Sequence, residues 1–180
     1  TVDANGVVTA VGNGTATITA KAGEFSATCE VTVAIAVTEV KLDKSEATLT
    51  AKDATLALNV TVLPEDALDK TVVWTSSDEA VATVDANGVV TAVANGTATI
   101  TATAGGFSAT CEVTVAIKVE MITLNTTWGE LTGLGATMQL VATVAPENAV
   151  DKTITWSSST EAVTVDETGL VTVVAPYDGT

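Results

Sequence analysis

Asp78, Glu79, Asp85 and Asn87 stand close together in the sequence, and so do Glu65, Asp66 and Asp69. Carboxylates and an amide oxygen grouped in this way are hard ligands, and the chemistry open to them is calcium binding. Calcium takes roughly six to eight oxygens, and neither group supplies that many alone. Asp85-Ala86-Asn87-Gly88 is also accounted for as a turn, with Asn-Gly supplying the positive φ of a tight hairpin. Calcium is therefore the one cofactor to weigh, with Asp78, Glu79, Asp85 and Asn87 as its weak candidates against a solvated acidic loop. Catalysis has less to work with. The chain has no His, and its Ser and Thr residues lie in regular strand and turn patterns without a base nearby. No enzymatic activity is expected.

Four further features could do something chemical. Cys29 and Cys111 occupy equivalent places in two similar segments, Thr28 to Val33 and Thr110 to Val115, where each alternates in phase with Val. A small buried core thiol is the first reading, and an intermolecular disulfide the second. Lys70 and Lys152 each follow an Asp directly, which reads as solvated loop chemistry and not as a buried isopeptide pair. Asn13, Asn59, Asn95 and Asn125 head Asn-x-Ser/Thr sequons, of which Asn13 and Asn95 are also turn residues. Trp128 and Tyr177 are the aromatics without a counterpart elsewhere in the chain, and are the candidate contact points for a carbohydrate or a protein.

The chain has 180 residues, with 22 acidic and 7 basic side chains and a net charge of −15. All the positive charges are Lys. Such a balance argues against nucleic acid, which needs clustered cations for its phosphates, and against an anionic membrane surface. No stretch has the unbroken apolar length of a spanning helix.

The elements that position these residues recur. Thr1-Val2-Asp3-Ala4-Asn5-Gly6-Val7-Val8-Thr9-Ala10-Val11 returns as Thr83 to Val93, an offset of 82 residues. Cys29 and Cys111, Pro64 and Pro146, and Trp74 and Trp156 keep the same offset. A fixed period means one folding unit used in tandem. Residues 1–36 hold the C-terminal part of a first repeat, 37–118 a complete repeat and 119–180 the N-terminal part of a third. Within the complete repeat, Val/Thr alternation marks strands at 37–43, 46–51, 54–63, 71–77, 80–84, 88–93, 97–103 and 107–116. The run 54–63 places Leu56, Leu58, Val60 and Val62 on one face and stops at Pro64. No segment has the helical period. The arrangement that buries one face of every strand is a pair of packed antiparallel sheets, with Trp74 and Phe107 between them. The links at 33–37 and 115–119 contain no Gly, Pro or Ser, so the repeats are expected to follow one another stiffly, as a rod.

Val40-Lys41-Leu42-Asp43, Val62-Leu63-Pro64-Glu65-Asp66-Ala67, Lys70 to Ser77, Val81 to Val93 and Asn95 to Thr101 together resemble the bacterial immunoglobulin-like domain of group 2. The third copy departs from the pattern: 161–166 is one residue shorter than 79–85, and Asp166-Glu167-Thr168-Gly169 replaces Asp-Ala-Asn-Gly. The resemblance implies tandem all-β, immunoglobulin-type sandwiches. It also implies a place outside the cytoplasm, on bacterial surface adhesins and surface-layer proteins or on phage virions.

Two functions of different kind follow. One is a structural spacer in an extracellular, rod-like repeat protein, or a decoration domain on a phage virion. The other is a binding module that recognises a glycan, a host protein or another copy of itself. The partial repeats at the two ends read as a window cut from a longer array, or as halves that complete one another by strand addition between chains.

Overall fold

The computed structural model describes residues 1–175. Every regular element among them is a β-strand. The chain divides into two compact units, 1–115 and 116–180.

The first unit begins with a turn at Asp3–Gly6 closed by a bridge between Val2 and Val8. A long hairpin follows, β1 (Gly14–Ala22) with β2 (Phe25–Val33). The complete repeat then contributes β3 (Glu39–Leu42), β4 (Glu46–Leu49), β5 (Thr55–Ala57), β6 (Val60–Leu63), β7 (Val73–Ser76), β8 (Ala82–Val84), β9 (Val89–Ala92), β10 (Gly96–Ala104) and β11 (Phe107–Val115). One sheet has the order β4-β11-β10-β7. The others are β3-β6 and β5-β9-β8. All pairs are antiparallel except β4 with β11, which run parallel from Glu46↔Glu112 to Leu49↔Val115.

The core lies between these sheets. Val37 and Val40 pack with Ala102 and Ala104, and Leu42, Val60, Val62 and Trp74 close around them. The inward-facing set of the β10–β11 hairpin is Ala98, Ile100, Ala102, Ala104, Cys111, Val113 and Val115, each at most 2% exposed. The small Ala and Cys side chains leave room for the opposing branched residues, as alternation on a pleated sheet requires.

Three expectations are corrected. Residues 54–63 form two strands, because the chain changes sheet at Leu58-Asn59: β5 pairs with β9, and β6 with β3. The break is stitched by Asp43, whose Oδ1 accepts the Asn59 amide at 2.9 Å and whose Oδ2 accepts Asn59 Nδ2 at 2.8 Å. Phe107 is 45% exposed. It sits next to the Gly105-Gly106 turn, at the rim of the sheet where no opposing layer reaches it. Cys29 is exposed although Cys111 is buried. The β1–β2 hairpin has the same register as β10–β11, but among the described residues no sheet covers its apolar side.

The second unit holds β12 (Met121–Leu124), β13 (Thr137–Gln139), β14 (Ala142–Ala145), β15 (Val163–Val165) and β16 (Leu170–Val173). Its sheets, β12-β14 and β13-β16-β15, reproduce β3-β6 and β5-β9-β8. Residues 128–131 and 155–158, which correspond to β4 and β7, form no strand. In the complete repeat those two strands take their ladders from β11 and β10, and the described part of the third repeat contains no equivalent hairpin.

Candidate functional site

The acidic turn closes on itself. Asp85 Oδ1 accepts the Asn87 amide at 2.8 Å and the Val89 amide at 2.9 Å. The Gly88 amide donates to the Asp85 carbonyl at 3.1 Å. The Val89 amide, with Asn87 beside it, holds the Asp85 carboxyl below the usual carboxylate range, against a smaller opposing effect of desolvation. Only Gly88 carries a positive φ, of 79°. The loop is therefore a turn followed by a glycine bulge, and Asn87 acts through its amide, not through a left-handed backbone. The third repeat reaches the same end with different residues. Asp166 Oδ1 accepts the Thr168 hydroxyl at 2.6 Å and the Thr168 and Leu170 amides at 2.8 and 2.9 Å, and these bonds, the Thr168 hydroxyl foremost, lower its pKa.

The neighbouring acids are also held locally. Asp78 Oδ1 accepts the Ala80 amide at 2.9 Å, while Glu79 is exposed on the surface. Asp69 Oδ1 accepts the Thr71 amide at 2.9 Å, and Thr71 lowers its pKa. Lys70 Nζ reaches back to the Glu65 carbonyl at 2.7 Å, and Lys152 Nζ to that of Glu147 at 2.9 Å. Among the described residues no group of three or more His, Cys, Asp or Glu side chains comes together.

Asn13 has a role its sequence context did not reveal. Its Oδ1 accepts the Ile35 amide at 2.6 Å, and its Nδ2 donates to the Asp66 carbonyl at 2.5 Å. The Ile35 carbonyl in turn accepts the Leu68 amide at 2.9 Å. One side-chain amide thus ties the first hairpin, the 34–36 link and the 64–70 loop of the complete repeat together. The signal for it in the sequence is the recurrence of Asn-Gly-Thr at 13 and 95 directly before the longest strands. Two more sequon amides are engaged: Asn59 Nδ2 on Asp43, as above, and Asn125 Nδ2 on the Gln139 carbonyl at 3.2 Å.

Trp128 is 76% exposed, with its amide donating to Thr126 Oγ1 at 3.2 Å. Tyr177, its suggested companion, lies outside the described residues. Beside Trp128 the third repeat opens into a cleft of about 650 Å3, lined by Leu131, Met138, Ala162, Val163, Val171 and Val173. The lining is mostly apolar; Thr160 also borders it, with its Oγ1 accepting the Ala162 amide at 3.2 Å.

The relatives agree with this architecture. The model of the bacterial Ig-like domain (group 2) matches residues 36–115 and 119–180. A second bacterial Ig-like domain model matches residues 1–35. The chain belongs to the group 2 bacterial Ig-like domains. It is 41% identical over 135 residues to an alpha-L-arabinofuranosidase of Bifidobacterium longum subsp. longum, a match that covers 71% of this chain and 12% of that protein. It is 39% identical over 113 residues to an Ig-like virion protein of Serratia phage KSP90, covering 59% of this chain and 43% of that protein. Among solved structures, domains 4 and 5 of the S-layer protein SbsC match with 26% identity and a TM-score of 0.40, over 57% of this chain and 65% of that one. The chain spans only a small part of the enzymes it resembles.

Proposed function

We propose that the chain is a structural spacer within a longer extracellular protein, a set of immunoglobulin-like modules that positions a neighbouring domain and performs no reaction itself. The observation that carries this reading is the junction at Asn13. Two side-chain hydrogen bonds and one backbone bond hold the first hairpin against the loop of the next repeat. A linker so fastened conveys position where a Gly/Ser tether would not. The relatives support it, since the resemblance covers only 12% of the arabinofuranosidase, the remainder of which lies outside these modules. The place outside the cytoplasm rests on the family resemblance.

Small-angle scattering tests the reading. The native chain should give a scattering profile indifferent to calcium, and Asn13→Ala should broaden the distribution of intramolecular distances. A profile that contracts on adding calcium, or an unchanged Asn13→Ala profile, would count against a fixed spacer. The absence of catalysis is tested separately, by incubation with aryl arabinofuranosides, where no product should accumulate. A second reading is display on a virion. It is favoured by the larger share, 43%, of the phage protein that this chain spans. Labelling of purified virions by an antibody to the chain would decide for it.

A further inference from the structure

Asn5, Asn13, Asn87 and Asn95 each precede a glycine. The pair carries chemistry that neither residue has alone. Glycine has no Cβ to keep its backbone nitrogen away from the preceding side chain, so that nitrogen can close on the Asn Cγ and expel ammonia. At two of these pairs the nucleophile is held. The Gly6 amide donates to the Asp3 carbonyl and the Gly88 amide to the Asp85 carbonyl, each at 3.1 Å. At Asn13 it is the electrophile that is held.

Both polar atoms of the Asn13 side chain are engaged, Oδ1 by the Ile35 amide at 2.6 Å and Nδ2 by the Asp66 carbonyl at 2.5 Å. Attack on Cγ requires the side chain to turn toward its own backbone, and these two bonds oppose that turn. The site is nonetheless open to water. Asn13, Gly14 and Asp66 are all exposed, and so is Asn95, the counterpart of Asn13 in the complete repeat. Gly14 has φ of 140°, a backbone that favours glycine. The labile neighbour is therefore built into the strand entry.

We propose that Asn13 is a deamidation site that acts as a one-way latch: it reacts only while it is free of Ile35 and Asp66, and its product cannot fasten the 64–70 loop again. The Gly14 nitrogen gives its proton to hydroxide and bonds to Cγ. The Cγ–Nδ2 bond breaks, and the nitrogen leaves as ammonia. Water then opens the resulting succinimide on one side to aspartate and on the other to isoaspartate. One water is consumed, one ammonia is released and nothing is oxidised. Either product lacks the donor that served the Asp66 carbonyl. In the aspartate product a carboxylate oxygen stands in its place, acceptor against acceptor, beside a loop that already holds Glu65, Asp66 and Asp69. The proposal goes beyond the spacer reading and does not need it, since a chain of any function would age at this position.

The full 180-residue chain, kept reduced, is the sample. It is aged in mildly alkaline buffer, and deamidation at residue 13 is followed by peptide mapping, with buried Cys111 staying protected from a maleimide as the control for folding. Conversion should be slower than in the urea-unfolded chain by about tenfold or more, the size expected of two hydrogen bonds. The same factor should be read from hydrogen exchange of the Ile35 amide, whose acceptor is Asn13 Oδ1. Aged chain carrying the acid, separated by charge, should have lost protection at the Ile35 amide and at the Leu68 amide, which bonds the Ile35 carbonyl. Asn13→Asp should reproduce that loss, and the aged native chain gives the same reading without depending on how the variant folds. Conversion as fast in the folded chain as in urea overturns the proposal, because the two bonds then gate nothing. An Asn13 that stays intact while the Ile35 amide exchanges overturns it too, as does an aged chain whose Ile35 and Leu68 amides remain protected.

Discussion

Gly88 is held in place by two demands on the atom it lacks. A Cβ there would fall 2.5 Å from Trp74 Cζ2 and 2.9 Å from the Leu58 carbonyl oxygen, on a backbone with φ of 79°. Gly169 repeats the arrangement against Trp156 and the Leu140 carbonyl. Gly106 has a similar φ of 86° but open space where its Cβ would lie. Gly106→Ala should therefore cost about 1–2 kcal/mol, the left-handed penalty alone. Gly88→Ala should cost about 2–4 kcal/mol, because overpacking adds to that penalty. Urea unfolding of the two variants separates the effects. The turn carboxylates predict a response to acid. Asp43, Asp69, Asp85, Asp151 and Asp166 all have lowered pKa values in the fold. A group of this kind stabilises fully above its unfolded pKa, near 4 for Asp, and the stabilisation is lost as pH falls through the lower folded value. The unfolding midpoint should accordingly hold steady from neutral pH down to about 5 and drop below about 4. Asp85→Asn should make that drop shallower.

Strands were legible where they alternate and where Asn-Gly or Gly-Gly closes them. The Thr97–Thr103 and Phe107–Ala116 runs gave β10 and β11 almost to the residue, because each face of a pleated strand is read at every second position. The break between β5 and β6 was hidden by that same alternation. Leu56, Leu58, Val60 and Val62 keep their phase across it, and the cause lies sixteen residues away in the Asp43 carboxylate. Phe107 and Cys29 failed for a related reason. Period fixes which way a side chain points but not whether another layer stands opposite. The Asp85-Ala86-Asn87-Gly88 turn was legible from its residue types, although only Gly88 takes the positive φ and the bonds of Asp85 to the Asn87 and Val89 amides were not foreseen. The Asn13 junction left only the recurrence of Asn-Gly-Thr as a signal, since both its partners are backbone atoms. Asp43→Ala tests the stitch: it should lower the denaturant midpoint with little change in the slope, because no additional surface is exposed. Asn59→Ala should do the same and add little in the double variant, since the pair acts as one contact.

The two compact units differ in how much core they enclose. The complete repeat closes its hairpin over branched residues, whereas the third leaves an apolar cleft open. Regions with fewer buried contacts open at lower cost. Heating should therefore give two steps, with a change in Trp156 fluorescence preceding the exposure of Cys111 to alkylation.

The parallel pairing of β4 with β11 has a mechanical outcome. β4 lies near the start of the complete repeat and β11 at its end, side by side over four residue pairs. Tension applied across the repeat pulls these strands lengthwise past each other, so their hydrogen bonds must fail together and not unzip singly. Resistance to stretching is thus set by the rate of one concerted rupture. A proline at Glu112, whose amide donates to the Ser45 carbonyl at 2.9 Å, deletes a bond of this seam and should lower the force peak of the domain in single-molecule stretching.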